Sequence, residues 1–186
     1  MRLPARCALA ASLLASTLAA LPAAAAPFTL SSPDFADNSL LAQKFAGATP
    51  GNASCTGENL SPALAWENVP PGTQSLALLV YDPEGRNGLG VSHLVAYNIP
   101  VDAKGFAQGD LTHGKGFTGG PNSRKTLAWH GPCPPAGSGY HHYTFTLIAT
   151  DLAPDALPAG LDRERLMSSL EGHAKGAAGL IGRFGQ

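Results

Sequence analysis

The amino-acid sequence predicts a mostly β domain. Three apolar runs rich in β-forming residues, at 75–82 (SLALLVYD), 92–99 (SHLVAYNI) and 142–151 (HYTFTLIATD), are each bounded by Pro or Gly signals such as PPGT, IP and LAP. The 16 prolines and 22 glycines are spread between short apolar runs, as short strands joined by tight turns require. A helical pattern occurs only near the C-terminus, and the chain carries no heptads, internal repeats or blocks of like charge.

In chain order, Arg2 and Arg6 precede an apolar run over 9–21 that ends in Pro22 and AAAA, the pattern of a secretory signal peptide. Ala24 and Ala26 fit an A-x-A cleavage site, so 1–26 is expected to be removed and 27–186 to form a single domain. The apolar run is shorter than the roughly 20 residues that cross a bilayer, so no integral membrane segment is expected after cleavage. A periplasmic or secreted protein follows. Cys7 lies before the apolar run and leaves with it.

Shorter strand candidates lie at 28–32, 64–69 and 126–129. The loop at 83–91 and the Gly/Lys/Pro-rich stretch at 114–125 have no regular pattern, and loops of that kind often carry function. From Asp162, a candidate N-cap, RERLMSSLEGHAKGAAGLIGRF places Leu166, Met167 and Leu170 on one stripe. Gly172 and Gly176 are expected to divide this into two short helices, since a glycine inside a helix costs about 1 kcal/mol relative to alanine.

Without the signal segment the chain has 10 Lys and Arg against 13 Asp and Glu, a balance of −3 that argues against a nucleic-acid partner. Two cysteines remain, Cys55 and Cys133, and an isolated pair in an oxidising compartment is expected to form a disulfide.

Strand alternation organises the polar residues. His141, Tyr143, Phe145 and Leu147 share one face of their strand, and His142, Thr144, Thr146 and Ile148 the other. Leu76, Leu78, Val80 and Asp82 share a face that ends in a carboxylate, and His93 shares one with Val95 and Tyr97. A core strand has no packing reason to end in Asp, in His, and in His plus Tyr, so a common polar pocket is expected. Two imidazoles, a phenol and a carboxylate suit a small anion. The carboxylate would keep an imidazole protonated unless burial cancels the gain, so affinity is expected to peak at mildly acidic pH.

Competing motifs fail on context. GKGFTG at 114–119 spells G-x-G-x-x-G, but no strand precedes it and no helix follows. GVSHL at 90–94 has leucine where a nucleophile elbow has its second glycine. No H-E-x-x-H or paired C-x-x-C occurs, so neither a metal nor a cofactor is expected. His113, His130 and His173 show no partners and read as surface or structural residues.

Four segments, CTGENLSPALAWENVPPGTQSLALLVYDPE, SHLVAYNIP, GPCPPAGSGYHHYTFTLIATD and GHAKGAAGLIGRF, give the chain a resemblance that covers most of 27–186. It resembles the phosphatidylethanolamine-binding protein family, in particular the bacterial Raf-kinase-inhibitor-like branch. The resemblance implies a β-sandwich of antiparallel sheets with short peripheral helices near the C-terminus, and a small pocket for phosphate and other anions. It assigns that pocket to Asp82, His93, Pro135, His141 and Tyr143, with Glu84 as a further candidate. The chain departs from the family pattern where DPEGR lacks an Ala-Pro pair, Val91 replaces an aromatic residue and His142 replaces arginine, which bears on the lip of the pocket.

The leading expectation is an exported, non-enzymatic binding protein for a small anion, such as a phospholipid head group or another phosphorylated ligand. An inhibitor of a protein partner, a protease or a kinase, is the alternative that the family implies. A hydrolase using His141 as base and Ser92 or Cys133 as nucleophile is a third reading, and it requires a nucleophile within hydrogen-bond reach of that base.

Overall fold

The computed structural model describes residues 25–186. Cys7 and all but the last two residues of the expected signal segment lie outside the described residues. Two sheets are formed. The larger has strand order β2-β9-β8-β4-β5-β7 and the smaller β1-β3-β6. The larger comprises β2 (Ser39–Leu40), β4 (Ser75–Asp82), β5 (Val91–Pro100), β7 (Thr118–Gly120), β8 (His141–Thr150) and β9 (Ala174–Phe184); the smaller comprises β1 (Thr29–Ser31), β3 (Leu64–Glu67) and β6 (Gly105–Phe106). A 3-10 turn spans Gln43–Phe45, a single turn α1 spans Gly85–Gly88, and the helix α2 spans Arg163–Leu170.

Alternation along the long strands builds two apolar layers. Leu76, Leu78 and Val80 of β4 join Tyr143, Phe145 and Leu147 of β8, and they pack with Leu30, Leu64, Trp66 and Phe106 of the smaller sheet. Burying such side chains contributes roughly 1.5–3 kcal/mol each, so this inter-sheet layer is the main source of cohesion. On the opposite face, Ala77, Leu79, Val95, Tyr97 and Ile148 pack beneath Leu166 and Leu170 of α2. The fold is therefore mostly β, in two sheets with few short helices, as the sequence predicts.

Two elements differ from expectation. The helix begins as expected, with the Asp162 carboxylate accepting from the Arg165 amide at 3.0 Å. It ends at Leu170, and the second expected helix is the strand β9. From Ala178 onward every second residue of β9, Ala178, Leu180, Gly182 and Phe184, is buried, and the strand pairs with the whole length of β8. Ladder pairing beside an apolar layer outweighs the weak helix propensity of a glycine-rich segment. Met167 is 38% exposed, leaving Leu166 and Leu170 as the buried stripe.

The expected strand at 126–129 is an irregular loop, because Asn122 takes its backbone hydrogen bonds. Asn122 Oδ1 accepts from the Thr126 amide at 3.1 Å, and Nδ2 donates to the Ala128 carbonyl at 2.9 Å. The short strands β2, β6 and β7 carry too little apolar pattern to be read from sequence.

Candidate functional site

Asp82 ends β4 and organises the turn that follows. Its Oδ1 accepts from the amides of Glu84 and Gly85, each at 2.9 Å, while Oδ2 accepts from His141 Nδ1 at 2.8 Å. A Cβ on Gly85 would lie 3.0 Å from Asp82 Oδ2 and 2.6 Å from Val91 Cγ2, so only glycine lets the backbone close on the carboxylate. Burial pushes the Asp82 carboxyl above its ordinary range, opposed by the hydrogen bond to His141 and by that ring's charge when protonated. The same turn holds Arg86 in the left-handed region, at φ 54° and ψ 43°.

His93 reaches the site through a bulge. Val80 pairs with Leu94 but Tyr81 pairs with Ser92, so β5 carries one extra residue at this point. Strict alternation would put His93 with Val95 and Tyr97, beneath α2. The bulge turns it to the opposite face, where its ring stands edge-on to Tyr143 with centroids 5.1 Å apart. Its Nδ1 lies 2.6 Å from the His130 carbonyl oxygen. A carbonyl only accepts, so Nδ1 carries the proton and Nε2 of the neutral ring is an acceptor. Burial lowers the His93 pKa from 6.5 to about 4, despite the bond to His130. The expectation that a carboxylate keeps an imidazole protonated does not hold for His93: burial cancels that gain, the nearby Arg124 guanidinium disfavours a further positive charge, and the ring stays neutral where free histidine titrates.

Tyr143 Oη and His93 Nε2 are buried, and neither has a protein partner among the described residues. Burial, reinforced by the charges of Asp82 and Glu84, raises the Tyr143 pKa, so its hydroxyl remains a donor. Asp82, His93, His141, Tyr143 and Pro135 all line one open cavity of about 360 Å³. Arg86 and Arg124 line it too, and neither has an ion-pair partner among the described residues. They come from the two loops at 83–91 and 114–125. Sequence reasoning pointed to those loops without naming the arginines.

Glu84 does not reach this cavity. Its carboxylate accepts from His142 Nδ1 at 2.8 Å and from the His142 amide at 3.1 Å. His142 alternates to the far face of β8 and takes Glu84 with it; its contacts bring the Glu84 carboxyl below its ordinary range even though burial alone would raise it. His130 and His173 also differ from expectation. His130 lines the cavity and stands 3.2 Å from Thr49 Oγ1, and His173 Nδ1 lies 2.8 Å from Asp151 Oδ1. Those partners are distant in sequence, which is why no local pattern exposed them.

Cys55 and Cys133 are joined in a disulfide whose Cα atoms are 4.6 Å apart, and Cys133 lies on the cavity wall. Among the described residues the group of His, Cys and carboxylate side chains close enough to share an ion is Cys55, His130 and Cys133, and the disulfide consumes both thiols. Neither expected nucleophile meets His141. Cys133 is oxidised, and Ser92 lines a neighbouring groove with Tyr81 and Arg163. The hydroxyl within reach of His141 is that of Ser138, with Oγ 3.2 Å from Nε2.

Comparison with known proteins agrees with this architecture. The family model described as phosphatidylethanolamine-binding protein matches residues 31–185. A UPF0098 protein of Methanothermobacter thermautotrophicus is 40% identical over 141 residues, covering 74% of this chain and 91% of the relative. A Mycobacterium tuberculosis protein named as the lipoprotein LppC is 38% identical over 164 residues, covering 87% of this chain and 74% of its own. The crystal structure of Escherichia coli YbcL, itself reported as a member of the mammalian PEBP family, superposes with a TM-score of 0.78 at 26% identity, covering 87% of this chain and 99% of YbcL. With the match running through both sheets and all the cavity residues, the chain belongs to the phosphatidylethanolamine-binding protein family.

Proposed function

We propose that this chain is an exported binding protein whose cavity takes a small oxyanion, the phosphate of a phosphorylated ligand or of a phospholipid head group. The observation that carries this reading is the pair of buried polar atoms without protein partners, Tyr143 Oη and His93 Nε2. A buried polar atom left unpaired costs about 1–3 kcal/mol, so such a pair on one cavity favours a ligand that satisfies both. One is a donor and the other an acceptor, which fits an oxyanion that still carries a proton. Arg86 and Arg124 supply positive charge that the −3 balance of the domain does not.

Export is supported by the pattern of residues 1–26 and by the disulfide, which persists in oxidising compartments. No helix among the described residues is long and apolar enough to cross a membrane. The relative named as a lipoprotein points to the cell envelope for that protein, in keeping with this reading.

Calorimetric titration of the 27–186 protein with phosphate, phosphoethanolamine, sulfate and acetate tests the proposal. Phosphate and phosphoethanolamine are expected to bind, and binding is expected to be lost when Arg86 and Arg124 are both replaced by Gln. No heat with any of the anions, or equal affinity in the double variant, would overturn it.

A further inference from the structure

We infer that Ser138, His141 and Asp82 form a nucleophilic triad, with His141 and Asp82 on the cavity wall and Ser138 beside His141, and that the chain hydrolyses small carboxylic esters. Ser138 Oγ lies 3.2 Å from His141 Nε2, and His141 Nδ1 lies 2.8 Å from Asp82 Oδ2. The three roles are thus held in order: a hydroxyl, a base within hydrogen-bond reach of it, and a carboxylate that fixes the ring. The carboxylate does not wander, because its other oxygen is pinned by the amides of Glu84 and Gly85. His141 and Asp82 are buried while Ser138 is exposed, so the base is shielded and the nucleophile is open to substrate.

The turn that presents Ser138 is built for the purpose. Gly137 and Gly139 flank it with φ of 77° and 84°, and the Gly137 amide donates to the Gln186 carbonyl at 3.2 Å. Ser138 Oγ also lies 2.8 Å from the Pro135 carbonyl. A hydroxyl has one proton, so rotation about Cβ–Oγ delivers it either to that carbonyl or to Nε2. With Nδ1 donating to Asp82, Nε2 of the neutral ring is free to receive it.

In the first step Oγ bonds to the ester carbonyl carbon and its proton passes to Nε2, leaving an imidazolium held by the Asp82 carboxylate. Collapse breaks the carbon–alkoxy bond, and Nε2 returns the proton to the departing alkoxide, which leaves as an alcohol. Water then attacks the acyl-Ser138 ester, again losing its proton to Nε2. The acyl carbon–Oγ bond breaks, Nε2 returns the proton to Oγ, and the carboxylic acid departs with Ser138 and the neutral ring restored. The sum is ester plus water to acid plus alcohol, with no other reactant. The Tyr143 hydroxyl and the Arg86 and Arg124 guanidiniums line the cavity that His141 also lines.

The test is covalent labelling of the 27–186 protein with a fluorophosphonate, read by intact mass and peptide mapping, alongside hydrolysis of p-nitrophenyl acetate. One adduct on Ser138 is expected, with none on the exposed Ser123. Ser138→Ala is expected to lose both label and hydrolysis. His141→Gln is expected to label at least about 100-fold more slowly, the usual contribution of a general base, while His142→Ala labels like the parent protein. Since Ser138 is exposed, Ser138→Ala is expected to keep the parent melting temperature. No adduct on folded parent protein, an adduct that persists in Ser138→Ala, or a His141→Gln variant that keeps the parent melting temperature and labels at the parent rate would overturn the inference. The outcome is separable from anion binding: phosphate binding without labelling sinks the triad alone, and labelling without phosphate binding sinks the proposed binding function alone.

Discussion

His93 Nδ1 stands 2.6 Å from the carbonyl oxygen of His130, and this contact decides which nitrogen of the ring carries the proton. In the proposed binding mode the other nitrogen, buried without a protein partner among the described residues, would meet the ligand as an acceptor. A phosphate monoanion brings an O–H to that acceptor, and sulfate brings none. Phosphate monoesters are therefore expected to bind at least about tenfold more tightly than sulfate at pH 6, and their affinity to fall as pH rises through the second ionisation of the ester, near pH 6. Sulfate binding, where measurable, is expected to take up a proton as His93 charges. Calorimetry in buffers of different ionisation enthalpy reads both quantities; equal affinity with no proton uptake would show that His93 does not face the ligand.

The buried His93 also ties stability to acid. Its folded pKa of about 4 lies below the ordinary 6.5, so the unfolded chain takes up the proton first. The stabilisation is complete above pH 6.5 and is lost as pH falls through 4. Between these limits the protein is expected to lose on the order of 3 kcal/mol more than His93→Gln does, measured by urea unfolding at both pH values.

Tyr143→Phe is expected to separate binding from stability. The hydroxyl it removes is buried without a protein partner, so the free protein should unfold at the same denaturant concentration or slightly higher. Phosphate affinity should fall by roughly tenfold, the value of one hydrogen bond to a charged group. A marked loss of stability in the free protein would mean that the hydroxyl serves packing instead.

Replacing both Cys55 and Cys133 by Ser removes a link that closes a separation of 78 residues. The chain-entropy treatment puts that loss at about 4 kcal/mol. Reducing the parent protein should lower its melting temperature to near that of the double variant, and thiol titration of the unfolded, unreduced parent should find no free thiol in 27–186.

Asn122→Ala is expected to loosen the loop that carries Arg124. The Asn122 side chain accepts from the Arg124 amide at 2.9 Å and donates to the His93 carbonyl at 3.1 Å, and it is buried. Stability should fall by about 2 kcal/mol, since several backbone groups lose their partner at once. Phosphate affinity should fall as well, and calorimetry on the folded variant reads that loss.

Sequence by itself determined the strands that bury both faces or one face strongly. Residues 75–82, 92–99 and 142–151 are long, apolar and bounded by turn residues, and their period of two names the inward set whatever surrounds them. That period also placed Asp82, His141 and Tyr143 at strand ends on inward faces, and it sent His142 outward. Tertiary structure decided what depends on partners far along the chain. The segment 174–184 becomes a strand because β8 offers it a ladder, although its glycines and alanines carry no strong preference of their own. His93 joins the cavity through a one-residue bulge, and a bulge reverses the face that alternation assigns. Its neutrality arises from burial and its tautomer from a carbonyl 37 positions away, and the disulfide joins two loops separated by 78. Periodicity records which way a side chain points along its own strand; charge state and company are set by groups that only folding brings within a few ångströms.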